Sequence, residues 1–138
     1  MNSSNDYKSQ RVPEIYAALV LSFSKRTDIG LIIHELRRIG VNEVEIRKPR
    51  TEPMVCLDIA IVKYEQFWEL NDALTKMFLG VGDCLHPLKN IISKYQAETY
   101  IDIAFYHYGT YPALSIYGGN MEKIRFLEAN ISIDPFEG

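Results

Sequence analysis

The chain has 138 residues, of which 47% are hydrophobic and 24% are charged. That length and balance fit one soluble domain with a sizeable core, and an aromatic content of 12% argues against disorder. No apolar stretch approaches the roughly 20 residues that a membrane helix needs. The net charge of −3 is too acidic for a general nucleic-acid binder. We therefore expect neither a membrane nor a nucleic acid as a partner.

The charges are distributed unevenly along the chain. Residues 1–63 contain ten Lys or Arg and eight Asp or Glu, whereas residues 64–138 contain five and ten. An acidic second half suits a cationic partner, but mild asymmetry also serves solubility, and the second interpretation is the simpler one.

The N-terminal residues and the cysteines bear on compartment and chemistry. Met1–Gln10 is polar and lacks the basic and apolar segments of a secretory signal, which predicts a cytoplasmic protein. Residues 1–12 are predicted to be a flexible tail and residues 13–138 a single domain. Cys56 and Cys84 are too few for a disulfide framework and lack metal or redox spacing. Both are interpreted as small buried or half-buried side chains, and no cofactor is predicted.

The first elements are a strand and the clearest helix of the chain. Ile15–Ser24 is rich enough in aliphatic residues for a central strand. In the helix, apolar residues recur at spacings of three and four, with Thr27 as the predicted N-cap and Gly40 just past the end. These apolar residues are Ile29, Ile32, Ile33, Leu36 and Ile39.

Two strands and two helices are predicted next. Val41–Lys48 alternates apolar and charged residues, which is typical of a strand with one wet face. Met54–Lys63 is the following strand, and helices are predicted over Gln66–Leu79 and Cys84–Tyr95. Strict alternation in Met54–Lys63 would place Leu57, Ile59 and Ile61 on one face and Cys56, Asp58, Ala60 and Val62 on the other.

The last part of the chain suggests a hairpin and a short helix. Thr99–Tyr108 and Ala113–Tyr117 are predicted to form an antiparallel hairpin around Gly109–Pro112. Asn120 is the predicted N-cap of a helix that ends at Leu127.

Ile131 and Ile133 suggest a closing strand. The complete order is then β-α-β-β-α-α-β-β-α-β. This order predicts an α+β fold with an antiparallel or mixed sheet covered by helices, in a ferredoxin-like or duplicated split β-α-β arrangement.

Catalysis by a cysteine would require a neighbouring histidine. Cys84 and His86 are close in sequence near a helix start, but residues two apart do not face each other on a helix. His34 and His107 have no second ligand at metal-binding spacing, so structural histidines and no metal site are the simpler interpretation.

Three aspartates are candidates for a carboxylate cluster. Asp58, Asp102 and Asp134 occupy equivalent positions in predicted strands, so they could approach one another on one sheet face. Such a group could bind a cation or act as acid and base, or its members could be dispersed over a solvated face. Dispersal is the simpler interpretation, and we predict that the protein is not an enzyme.

The predicted hairpin has a tyrosine-rich face. Tyr100, Asp102, Tyr106 and Tyr108 share one alternating face of its first strand, with Tyr111 and Tyr117 nearby. Tyrosines provide rigid, amphipathic contact area that suits a protein interface, although they also cover a sheet beneath a helix.

Several segments resemble a bacterial family, the domain-of-unknown-function family 4279. These segments are Trp68–Leu70, Leu74–Phe78, Leu85–Tyr95, Ile101–Ile116 and Phe126–Asp134, and Ile29–Leu36 fits the opening strand and helix of the family. The resemblance covers most of residues 16–136. Pro135-Phe136 departs from it, because the closing strand of the family is expected to continue there.

The resemblance implies a small cytoplasmic domain of the kind that serves as an immunity protein beside bacterial toxins. Such a protein would neutralise a cognate toxin, for example a basic nuclease, by binding directly over its active site. Its partner-binding residues would be Tyr100, Asp102, Tyr106, Tyr108 and Glu98. The alternatives are a small-ligand-binding or regulatory module and, third, an enzyme that uses the three aspartates. The sequence leaves the oligomeric state open.

Overall fold

The computed structural model describes residues 11–24, 26–47 and 54–137, in which a five-stranded mixed sheet and four helices form the predicted α+β fold. Residues 1–10 of the predicted tail and Lys48 lie outside the described residues. The strands are β1 (Glu14–Ser24), β2 (Glu45–Arg47), β3 (Met54–Gln66), β4 (Glu98–Tyr106) and β5 (Asn130–Phe136). The helices are α1 (Ile29–Arg38), α2 (Leu70–Leu79), α3 (Leu85–Lys94) and α4 (Gly119–Leu127).

The sheet has the order β2-β3-β1-β4-β5. β1 pairs antiparallel with β3 and β4, and β2 pairs antiparallel with β3. β1 and β2 therefore run parallel with β3 between them, and β3 and β4 run parallel with β1 between them. These are two interlocked split β-α-β units, which is the ferredoxin-like arrangement. β5 extends the sheet by pairing parallel with β4.

The helices form one layer on one face of the sheet. α2 packs directly on β1 and β3, and contacts join α1 to α3, α2 to α4 and α3 to α4. Fully buried side chains between the layers include Leu19, Leu21, Phe23, Leu74 and Phe105. Within the described ranges, no helix is both long and apolar enough to cross a bilayer.

A bulge in β3 overturns its predicted strict alternation. Leu19 pairs with Ala60 and Val20 with Asp58, so Ile59 is an extra residue opposite β1. The alternation reverses at this point, and Ala60 and Val62 join the helix-covered core with Leu57 instead of lying opposite it.

The predicted hairpin is wrong. β4 ends at Tyr106, and Ala113–Tyr117 is not a strand, since Ala113 makes only an isolated bridge to Glu69. The backbone N–H of Ala113 donates to the carbonyl of Trp68 at 2.8 Å. The strand that pairs with β4 at this position is β5, which follows α4 in the chain. The edge of β4 that a hairpin partner would use is therefore occupied.

Two predicted helix starts are also corrected. Asp28, not Thr27, caps α1, because its carboxylate accepts a hydrogen bond from the backbone N–H of Leu31 at 3.2 Å. α2 begins at Leu70, later than predicted, because β3 continues as far as Gln66.

β5 is longer than the predicted Ile131 and Ile133 and includes Pro135-Phe136. The carbonyl of Phe136 accepts a hydrogen bond from His107 N–H at 3.0 Å, so the polar groups of Phe136 point toward β4. Those of the preceding Pro135 point to the outer edge, where a missing N–H removes no bond from the sheet.

Asn120 is not the N-cap of α4 as predicted but lies inside the helix, buried against α2. Its Nδ2 donates to the carbonyl of Asn71 at 2.9 Å, to Asn71 Oδ1 at 3.1 Å and to Thr75 Oγ1 at 2.9 Å. Helix α4 is therefore fixed to α2 by polar contacts as well as by apolar packing.

Replacing Asn120 by Ala should lower the free energy of unfolding by about 2 kcal/mol, because buried acceptors on α2 lose their donor. Chemical denaturation of the two proteins would measure the difference. Asn90→Ala, on the exposed side of α3, is the matched control and should change stability by less than about 0.5 kcal/mol. Equal effects of the two substitutions would contradict the role of Asn120.

Candidate functional site

The sheet face opposite the helices, here called the helix-free face, has an arginine between two aspartates at its centre. The guanidinium of Arg47 forms ion pairs with Asp58 and with Asp102. Nη2 lies 2.9 Å from Asp58 Oδ1 at an angle unsuited to a hydrogen bond, whereas Nε donates to Asp58 Oδ2 at 3.4 Å. Nη1 donates to Asp102 Oδ2. One side chain thereby links three strands.

The reach of Arg47 shows that the sheet curves toward this face. In a flat sheet, strands spaced by about 4.8 Å would place β2 about 14 Å from β4, and Arg47 and Asp102 also lie at different levels along their strands. The contact therefore requires a concave surface. Ala18 and Val20 of β1 lie on the same face as this contact and are almost completely buried, although no helix of the described residues covers them.

Burial and charge oppose each other in this group. Burial raises the pKa of Asp58 above its ordinary value, although the charge and hydrogen bond of Arg47 act in the other direction. Burial alone would lower the pKa of Arg47, but the hydrogen bond to Asp102 and the charges of both aspartates raise it. Burial, with the charge of Asp58, also raises the pKa of Tyr16. Arg47 is therefore a permanent cation that offsets the cost of burying Asp58.

An aromatic row lies at one end of the helix-free face and consists of Tyr16, Tyr64, Tyr106, Tyr108 and Phe136. Ring centroids are 5.5 Å apart for Tyr16 and Tyr64, 5.2 Å for Tyr64 and Tyr106, 6.3 Å for Tyr106 and Tyr108, and 5.8 Å for Tyr106 and Phe136. These are ordinary distances for stacked and tilted aromatic pairs, which hold one another in place. Tyr64, Tyr106 and Phe136 remain between 36% and 46% exposed.

The concave surface contains a cavity of about 690 Å³. Its lining includes Arg47, Asp102 and Asp134 together with Tyr16 and Tyr100, and no residue of a described helix contributes. The small side chains Ser22 and Cys56 belong to the lining as well. A wide, polar and aromatic depression of this kind can accept either a protein surface or a small molecule.

The structure places most of the predicted partner-binding residues on this face. Tyr100, Asp102 and Tyr106 project from alternate positions of β4, and Glu98 lines the cavity and accepts a hydrogen bond from the Tyr100 hydroxyl. Tyr108 lies just beyond β4 at the end of the aromatic row, where its hydroxyl donates to the carboxylate of Glu14.

Two further tyrosines are not part of the group. Tyr111 stacks on His107 with centroids 4.5 Å apart and also contacts the core ring of Phe105. The Tyr117 hydroxyl lies 3.3 Å from Glu69, beside the start of α2. Both residues lie in the segment that connects β4 to α4 and not on a hairpin strand.

The three predicted aspartates share the helix-free face. Asp58 and Asp102 are joined through Arg47, and Asp134 lies on β5 opposite Ala104. Across the described ranges, no group of three or more His, Cys, Asp or Glu side chains has the arrangement of a metal site. Two of the three aspartates are therefore arranged around an internal cation, and Asp134 lies apart from it on β5.

The structure does not join Cys84 and His86 into a pair. The Cys84 thiol donates to the carbonyl of Val81, and burial raises its pKa. The His86 ring packs on Phe126 with centroids 4.7 Å apart. His107 Nδ1 accepts a hydrogen bond from the backbone N–H of Gly109 at 3.1 Å, and His34 lies exposed on α1.

The sequence patterns do not indicate four residues of this face, which are Arg47, Tyr16, Tyr64 and Phe136. Arg47 falls on the wet face of its predicted strand, so its sequence signal is that of any exposed charge. Tyr16 alternates with buried residues of β1 and could have been placed opposite the core. Tyr64 has a φ of 48° at an irregular position of β3, which alternation does not predict.

Comparison of the chain with protein-family models, with curated proteins and with solved structures gives no match in any of the three.

Replacing Arg47 by Leu should lower the free energy of unfolding by about 2 kcal/mol at pH 7, because Asp58 keeps a buried charge without its partner. Loss of the cation raises the native pKa of Asp58 further, so the folded variant binds a proton more tightly than the unfolded chain does. Its deficit should therefore shrink as the pH falls to about 4. Denaturant titrations at both pH values measure this change.

Two controls make the Arg47 measurement specific. Arg37→Leu, an exposed position on α1, should change stability little at either pH. Adding Asp58→Asn to Arg47→Leu removes the uncompensated charge and should recover part of the loss at pH 7. A pH-independent deficit, unaffected by Asp58→Asn, would mean that Arg47 contributes packing alone.

Proposed function

We propose that this protein is a non-catalytic binding protein, an immunity protein that acts in the cytoplasm and neutralises a cognate toxin by binding over its active site. The observation that carries the proposal is the helix-free face, a concave surface with fixed carboxylates at its centre and partly exposed aromatic rings at one end. The resemblance to domain-of-unknown-function family 4279 points to the same class of protein.

The aromatic row supports a protein partner. Aromatic side chains held by their neighbours lose little conformational freedom on binding, and tyrosines are frequent among the residues that dominate interface energies. Tyr64 and Tyr106 are held by a tilted ring contact and remain partly exposed. A partner that covered them would bury apolar ring surface without first having to order it.

The charge of the cavity supports a basic partner. Among the described residues, its lining carries Glu98, Asp102 and Asp134 against one cation, Arg47, which is already paired with Asp58 and Asp102. A surface with excess negative charge attracts and orients a positively charged protein and repels an acidic one. Toxins that act on nucleic acids carry basic active-site surfaces, so such a toxin would match this face.

The small-ligand-binding alternative also has an observation in its favour. The cavity volume of about 690 Å³ is within the range of small-molecule sites. A ligand module should show a rise in melting temperature with a metabolite and should need no protein partner. Melting temperatures measured with and without added metabolites therefore separate the two proposals.

The test compares a changed helix-free face with a matched change on the helix side. The first variant combines Asp102→Asn with Tyr106→Ala, and the control combines Asp83→Asn, in the loop before α3, with Tyr117→Ala. Tagged wild type should retain one stoichiometric basic protein from its host at moderate salt and should abolish the toxicity of that protein on co-expression. The face variant should bind it about 100-fold more weakly and should fail to protect, whereas the control should behave as wild type does.

Melting temperatures establish that both variants fold before binding is compared, which is necessary because Asp102 also pairs with Arg47. Full protection by the folded face variant would contradict the assignment of the interface. A captured protein whose activity is unchanged by binding, or a stabilising metabolite with no protein partner, would contradict the immunity function.

A further inference from the structure

A second, smaller feature lies within the helix-free face, where β4 and β5 run side by side. Three pairs of residues are in register there: Asp102 with Ser132, Ala104 with Asp134, and Tyr106 with Phe136. Ala104 and Ser132, both with small side chains, line the depression at this point. Carboxylates stand on two sides of it, and the rings of Tyr106 and Phe136, with centroids 5.8 Å apart, stand at one end. We call this group the β4–β5 subsite.

The carboxylates of the subsite have unused acceptor capacity. Asp102 uses Oδ2 for Arg47, and no hydrogen bond to its Oδ1 occurs among the described residues. Asp134 forms neither a hydrogen bond nor an ion pair with the part of the chain that the structure describes, and its strand is exposed throughout. A donor that entered the depression would thus find two carboxylates in reach without displacing Arg47.

The aromatic side of the subsite favours a planar cation. A guanidinium can stack on a tyrosine or phenylalanine ring while its edge donates to a carboxylate, whereas an ammonium lacks the flat surface for stacking. The chain itself contains such a contact at the same aromatic row, since the guanidinium carbon of Arg11 lies 3.8 Å from the centroid of the Tyr108 ring.

We propose that the β4–β5 subsite receives an arginine side chain of the partner protein, with the guanidinium between Asp102 and Asp134 and stacked beside Tyr106. This inference rests on the proposed function and adds the identity of the contacting residue. An arginine in the active site of a basic toxin would be removed from its substrate by this contact, so the subsite would couple binding to inhibition.

The direct test titrates the ¹⁵N-labelled full-length protein with a capped Gly-Arg-Gly peptide and follows backbone amide shifts by NMR. Capped Gly-Lys-Gly and Gly-citrulline-Gly are the matched probes, because the first keeps the charge and the second keeps the shape. The arginine peptide should shift the amides of Ala104 and Ser132 and bind about tenfold more tightly than the citrulline peptide. The lysine peptide should fall between the two.

Asp134→Asn is the discriminating variant, because β5 is exposed and the change removes a charge without a partner in the described structure. It should weaken binding of the arginine peptide about tenfold, while Glu122→Gln, an equal charge change on the exposed side of α4, should leave affinity unchanged. Equal binding to Asp134→Asn and wild type, or equal binding of all three peptides, would overturn the subsite.

Failure of the subsite and failure of the proposed function give different results. If the toxin is held and neutralised through Asp102 and Tyr106 but tolerates Asp134→Asn, the arginine subsite is wrong and the immunity function stands. If the arginine peptide binds in the subsite but no toxin is neutralised, the site is real and the proposed function is wrong.

Discussion

The carboxylate of Asp58 lies where solvent hardly reaches it, and the arrangement at the centre of the helix-free face has to compensate its charge. Its side chain is only 9% exposed, and burial by itself would favour the protonated form. Arg47 supplies the countercharge from the edge strand β2, which has only three residues. The guanidinium also reaches Asp102 on β4, a contact that requires the sheet to curve toward this face. Sheet curvature and charge compensation are therefore linked at this one arginine.

The bulge in β3 makes this arrangement possible without disturbing the core. A strict alternation from Leu57 onward would give Asp58 and Ala60 the same face. The extra residue Ile59 instead allows Asp58 to lie on the helix-free face while Ala60 and Val62 pack under the helices. At the end of α2, a Cβ added at Gly80 would lie only 3.3 Å from the Ala60 Cβ, so the helix approaches β3 closely here. The helix layer supplies the apolar burial, and the opposite face remains available for polar residues.

Local patterns predicted the helices and the central strand, and non-local contacts account for the rest. The spacing of apolar residues in α1 and the alternation in β1 are properties of neighbouring residues, which a sequence shows directly. The failed hairpin is different. Its two segments are close in sequence and have suitable local patterns, but β5, which follows α4, pairs with β4 at the position that the second segment would have taken. The position of Asn120 likewise depends on Asn71, which is far away in sequence. Arg47 was missed for the same reason, since an exposed charge and a buried ion pair look alike until Asp58 and Asp102 are brought together.

The ion pairs of Arg47 add little net free energy to the stability of the sheet, because desolvation offsets much of the attraction between buried charges. Well-packed apolar side chains at these positions would serve stability at least as well. What the charged group provides in addition is a fixed direction for Asp102, one of whose oxygens is bound to Arg47 while the carboxylate remains one-third exposed. A carboxylate held in place before binding loses less freedom when a cation approaches than a mobile surface carboxylate does. The proposed recognition of a cationic partner would use this fixed carboxylate, whereas folding alone does not require it.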